Sequence, residues 1–187
     1  MAWYSIDHSC GHTERHQIPG SNAGGQRDRR ADGMRHTECS ACAADARQAD
    51  RRARDDAAAA AAAEQALPDL EGTPAQVRWA TTIRAEALAV LDMVLDYLDS
   101  HDDRPADRDQ QLRQTIADTR AIYLTAVEAK KWIHYRTYQH DPIQLARVLA
   151  TAAQRAELDK AEGGSIRDLR LTITLARSRN NRLLREY

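Results

Sequence analysis

The residues best suited to chemistry stand within the first 42 positions. Cys39 and Cys42 form a C-x-x-C pair, and Cys10 and His12 flank Gly11 in a C-G-H triplet. Three thiolates and one imidazole make up the donor set of a structural, four-coordinate zinc site. Zinc suits this set because soft sulfur and borderline nitrogen ligands match it and it brings no redox chemistry of its own. A C-x-x-C turn lets two sulfurs converge on one ion, and C-x-H does the same from a hairpin or knuckle. His12 is the preferred fourth ligand because it adjoins Cys10. His8 is the second choice, since positions i and i+2 of a strand share a face; His16 and His36 also lie nearby.

Other uses of the thiols fit less well. The chain has three cysteines, and its first residues lack the apolar core of a signal peptide, so a disulfide framework is not expected. A redox C-x-x-C would sit at the strand-to-helix turn of a βαβ unit, and no such pattern surrounds Cys39.

The elements that must position these ligands are small. Trp3, Tyr4 and Ile6 before Cys10, and Ile18 after it, alternate with polar residues as in a short hairpin. Residues 19–25 (PGSNAGG) read as a loop. Residues 26–37 are polar and charged, with room for a single short helical turn. Such a segment is a poor fold alone, and a metal would supply the missing stability.

Helical patterns fill the rest. Residues 41–66, rich in Ala and Arg, predict a solvated connecting helix with almost no large apolar side chains. Thr73-Pro-Ala-Gln76 is a helix start, with Thr as N-cap, Pro at the first position and Gln reaching back. Ala80, Ile83, Ala87, Leu88, Leu91, Val94, Leu95 and Leu98 then follow the 3.6-residue period to about Ser100. A third helix is expected from about Asp107 to Arg136, and a fourth from the Asp141-Pro142 cap to about Glu162, stopped by Gly163-Gly164. Ser165 and Asp168 open a fifth element. Its Leu171–Leu175 core also fits a strand, but capping and length favour a helix. The predicted fold is mainly α: a zinc knuckle with a short β-hairpin over 1–45, an Ala/Arg-rich connecting helix and linker over 46–72, and a helical bundle over 73–187.

Residues 67–84, LPDLEGTPAQVRWATTIR, resemble a motif of short bacterial proteins carried by phages and other mobile elements, in which it follows an N-terminal C-G-H and C-x-x-C module. Residues 129–136, AKKWIHYR, resemble the Trp-Ile motif towards the C-terminus of the same proteins. There the Trp is often doubled and followed by an Asp-Asn-Arg-like tail; here those positions read Lys131-Trp132 and His134-Tyr135-Arg136. The resemblance implies a zinc site at Cys10, His12, Cys39 and Cys42, and carries no known activity.

Two further constellations are candidates for binding. Gln76, Trp79, Arg84, Trp132 and Arg136 could form a surface, since Trp and Arg dominate interface hot spots and stack on bases. Burial of both Trp residues in the core is the competing and more usual placement. Residues 165–187 hold six Arg against one Asp and one Glu, in a chain with 27 basic and 28 acidic residues. On a helix, Arg170 and Arg177 share a face, and Arg182 extends the basic element; guanidinium groups match phosphate. The competing role is internal pairing with residues 67–104, which hold eight acids and three Arg.

Catalysis has no positive sign. His101-Asp102 and His140-Asp141 resemble the pairs of helical metal phosphohydrolases, but Asp141 is better explained as an N-cap. Phosphate loop, nucleophile elbow and H-E-x-x-H are all absent. The near-neutral charge excludes a strongly basic nucleic-acid coat, and no apolar run approaches the about 20 residues of a membrane span. The expectation is a cytoplasmic, non-enzymatic, zinc-containing accessory protein. It would bind nucleic acid through its C-terminal helix or, alternatively, act as a protein-interaction adaptor or inhibitor of a mobile element.

Overall fold

The computed structural model describes residues 2–100, 105–160 and 165–183, with residues 159–160, 165 and 180–183 described by backbone alone. It divides into two compact units, 1–54 and 55–187.

The first unit opens with antiparallel strands β1 (Ala2–Asp7) and β2 (Thr13–Ile18), in register from Ala2 opposite Ile18 to Asp7 opposite Thr13. Alternation sends Tyr4 and Ile6 inward and leaves Trp3, 60% exposed, and Arg15 on the outer face, where the guanidinium stacks 5.2 Å from the indole centroid. The inner face packs on α1 (Gln26–Arg35), a ten-residue helix where the sequence predicted one short turn. Its sequence is polar because it buries only Ala31 and half-buries Met34 against Ile6 and Ile18. Asp28 in its first turn accepts bonds from the Tyr4 hydroxyl (2.9 Å) and the Asn22 amide (3.2 Å). Helix α2 (Ser40–Glu64) starts in this unit and ends in the second; along its 25 residues only Ala58 is buried, as the lack of large apolar side chains requires.

The second unit is helical: α3 (Pro74–Asp99), α4 (Ala106–Thr125), α5 (Ala129–His134), α6 (Pro142–Leu149), α7 (Ala152–Lys160) and α8 (Ser165–Leu183). The stripe of α3 is buried from Ala80 to Leu98 against Leu112, Ile116 and Tyr123 of α4, Trp132 of α5, Ile143 and Leu145 of α6, and Leu169 and Ile173 of α8. The predicted capping box at its start is present: Gln76 N–H donates to Thr73 Oγ1 (3.3 Å), and Thr73 N–H to Gln76 Oε1 (3.0 Å).

Three expectations resolve differently or more sharply. The single helix over 107–136 is broken at 126–128. There the main chain of Glu71 takes the place of helical partners: its N–H donates to the Val127 carbonyl (2.7 Å), and its carbonyl accepts from Ala129 N–H (3.0 Å). The helix from Asp141 is also broken, because Thr151 and Gln154 form a second reciprocal capping pair that starts α7. Residues 171–175 are helical. A strand would place Leu171, Ile173 and Leu175 on one face, whereas Ile173 is buried and Leu171 and Leu175 are exposed.

Candidate metal centre

The turn between β1 and β2 builds half of the site. Gly11 N–H donates to the His8 carbonyl and His8 N–H to the His12 carbonyl, both at 2.9 Å. Gly11 has φ +81°, a conformation that costs an L side chain but not glycine, and it sets Cys10 and His12 on the same tight bend. The other half is the start of α2. Ala43 N–H donates to the Cys39 carbonyl (2.9 Å), so Cys39 caps the helix and Cys42 lies in its first turn. A helix N-terminus favours anionic ligands.

These halves bring Cys10, His12, Cys39 and Cys42 together, with all four donor atoms within 4.8 Å of one another. His12 Nδ1 lies 3.2 Å from Cys42 Sγ and 3.5 Å from Cys39 Sγ. Ligands at ordinary Zn–N and Zn–S distances around a tetrahedral ion stand about 3.6 Å apart, so the cluster has the size of a four-coordinate site. Amide groups complete the cradle: Cys39 N–H donates to Cys10 Sγ (3.2 Å) and Cys42 N–H to Cys39 Sγ (3.4 Å).

The sulfurs respond in opposite directions. Hydrogen bonds from the Cys39 and His12 backbone amides bring the Cys10 thiol down to about 6. The hydrogen bond with the Cys39 side chain, burial and the negative charge of the other sulfurs push Cys42 up to about 12. Sulfurs this close repel once ionised, and a cation between them reverses that repulsion. The residues present therefore fit a metal ion.

His8, the second-choice ligand, lies in another cluster: its ring faces Glu14 and His16, and His12 occupies the fourth position beside the cysteines. The sequence reading missed Glu14 as a potential ligand. Its signal was the strand alternation that puts Glu14 and His16 on one face.

The proposed tryptophan–arginine surface is divided. Trp132 is fully buried; its Nε1–H donates to the Ala126 carbonyl (2.7 Å) and its ring meets Tyr123 edge-on at 5.3 Å. Arg84 is 2% exposed and donates to the Pro68 carbonyl (2.8 Å). Neither can present a binding face, because the core and the main chain before α3 consume both. Gln76 is engaged in the capping box. Trp79, 48% exposed, and Arg136 remain at the surface, with the guanidinium over the indole.

On α8, Arg170 is 3.4 Å from Asp141, Arg177 donates to the His140 carbonyl (2.9 Å) and Arg179 to the Ser100 hydroxyl (2.6 Å). The side chain of Arg182 and residues 101–102 lie outside the described residues. Asp141 caps α6 through Gln144 N–H (3.2 Å), as predicted. Among the described residues, no helix is long and apolar enough to cross a membrane. Comparisons with protein-family models, curated proteins and solved structures gave no match.

Proposed function

We propose that this chain is a zinc-containing accessory protein that binds nucleic acid through α8, without catalysis. Zinc is the ion favoured by a closed set of three sulfurs and one imidazole, which leaves no open position for a substrate. The observation that carries the nucleic-acid reading is the way α8 holds its arginines. Arg177 and Arg179 contact neutral acceptors, a carbonyl and a hydroxyl, which orient a guanidinium without cancelling its charge. Among the described residues no ion pair joins α8 to an acid of α3, and Asp92 and Asp99 of α3 pair with Arg120 and Arg113 of α4. The contact of Arg170 with Asp141 is long and half-exposed, and so is worth little. Positioned, uncancelled guanidinium groups are suited to phosphate. The resemblance to mobile-element proteins accords with an accessory role.

A second reading rests on the same helix. Leu171 and Leu175 are one turn apart and 58% and 41% exposed, which favours a protein partner. Fluorescence anisotropy of labelled single- and double-stranded DNA and RNA at two salt concentrations separates the two. Salt-sensitive binding weakened by Arg170→Gln with Arg177→Gln, and unaffected by Leu171→Ser, supports nucleic acid. Absence of binding at low salt removes that reading and leaves the adaptor role.

A further inference from the structure

A second group of metal-ligating side chains stands on the inner face of the hairpin, separate in its ligands from the cysteine centre. His8 Nε2 and His16 Nε2 are 3.1 Å apart, and Glu14 Oε2 lies 3.3 Å from His16 Nε2 and 3.6 Å from His8 Nε2. We propose that His8, Glu14 and His16 form a second divalent-metal site with an open coordination position, filled by water or a small anion.

Three observations carry this. The first is size: nitrogen and oxygen ligands at ordinary zinc distances stand about 3.4 Å apart around a tetrahedral ion, and the three measured separations bracket that value. The second is the orientation of His8. Its side chain is 2% exposed, and its Nδ1–H donates to the Thr37 carbonyl (3.1 Å), which leaves the Nε2 lone pair aimed at the other two donors. A ligating histidine is ordinarily held this way, by a hydrogen bond from its other nitrogen. The third is the carboxylate. Glu14 is fixed by Ser40, whose hydroxyl donates to Oε1 (2.5 Å) and whose N–H donates to Oε2 (3.1 Å). Two of the three ligands, His8 and Glu14, therefore arrive already oriented.

The donors also define the guest. Two imidazoles and one carboxylate contain no sulfur, so they select a borderline cation such as zinc or cobalt over a thiophilic one. Three protein ligands leave a vacancy, unlike the four-ligand cysteine centre. It faces solvent, because Glu14 and His16 side chains are about a quarter exposed while His8 closes the rear. Without metal, the same triangle is a cluster of side chains in hydrogen-bond contact, His8 Nε2 and His16 Nε2 being 3.1 Å apart.

Titration of the full-length, reduced apoprotein with cobalt(II) distinguishes the two. The cysteine centre gives an intense thiolate-to-cobalt charge-transfer band, and the His/Glu site gives only weak ligand-field bands. The expected result is two cobalt ions per chain, with the thiolate-free component lost in His16→Ala and the charge-transfer band retained. In parallel, imidazole nitrogen NMR of the wild-type protein whose cysteine centre already holds one zinc should show Nε2 of His8 and of His16 moving together on addition of a second equivalent. Saturation at one cobalt per chain with the charge-transfer band present overturns the proposal, as do a thiolate-free component that survives His16→Ala or Nε2 resonances unmoved by zinc added beyond the first equivalent. Because the NMR uses the unmutated chain, it decides the matter even if His16→Ala does not fold. A missing charge-transfer band with the weak component present would remove the cysteine centre and leave this site standing.

Discussion

The guanidinium of Arg136 lies over the indole of Trp79, its central carbon 5.4 Å from the ring centroid. The contact joins the two stretches 67–84 and 129–136, the first running into α3 and the second spanning α5 and the turn after it. Deeper in the same region Glu71 bridges to Val127 and Ala129, Arg84 donates to Pro68, and Trp132 fills the core. Much of each motif is therefore spent on holding the second unit together, and its exposed remainder is small.

The buried Trp132 and the surface pair of Trp79 with Arg136 should respond unequally to truncation. Trp132→Ala removes a fully buried ring and its hydrogen bond, and should destabilise the second unit by about 3–5 kcal/mol. Arg136→Ala loses a surface cation–π contact worth about 0.5–1 kcal/mol. Urea unfolding followed through helical circular dichroism checks both, and equal effects would contradict this division into core and surface.

Helix starts offer a second test. Thr73→Ala removes the acceptor for Gln76 N–H, and Thr151→Ala the acceptor for Gln154 N–H. Each should cost about 1 kcal/mol. Thermal unfolding of each variant, beside its Thr→Ser control, measures the cap apart from the lost methyl. Full stability in Thr151→Ala would mean that α6 and α7 run on without a boundary.

Both caps share the same T-x-x-Q spelling, and this shows what the sequence made legible. Local signals were readable: the Thr73 capping box, the α3 stripe, the Asp141 cap and the four ligands paired by spacing in C-G-H and C-x-x-C; the Thr151 box, with the same spelling, was hidden inside an apolar period that runs on from α6. The break before α5 was not readable either, because its cause is Glu71, remote in sequence, whose main chain bonds to residues 127 and 129. Helix α1 was hidden for a different reason. It contributes a single buried side chain, so it carries almost no apolar period. The His8–Glu14–His16 cluster lay between these cases: strand alternation encoded it, but only the register of β1 against β2 brings its halves together.

Asp28 supplies a pH test away from the metal ligands. Hydrogen bonds from the Tyr4 hydroxyl and Asn22 hold its carboxyl below the ordinary aspartate range. A lowered folded-state value means that the ionised group stabilises the fold. That contribution is present above the ordinary value of about 3.9 and fades as pH falls through the depressed one. A carboxyl-carbon NMR titration should show Asp28 with a low midpoint in the wild type and one nearer the ordinary value in Tyr4→Phe. An identical midpoint in both proteins would show that the phenol does not act on Asp28.

Metal removal should affect the two units differently. The first unit has an apolar core of Ile6, Ile18 and Ala31, with Tyr4 and Met34 partly buried, too little to offset the ordering of its hairpin and α1. The second has its own extensive core and none of the four ligands. In zinc-dependent modules, metal binding contributes about 10–16 kcal/mol of apparent free energy, and this is folding free energy. Cys39→Ser removes one ligand and, with it, the sulfur that accepts Cys42 N–H. Chelation, or this substitution, should abolish amide protection in β1, β2 and α1 while α3 and α4 keep theirs. Hydrogen exchange read by mass spectrometry checks this, with metal analysis alongside. Retained protection in the hairpin after complete metal loss would show that the unit folds by itself and that the four ligands have a role other than structural.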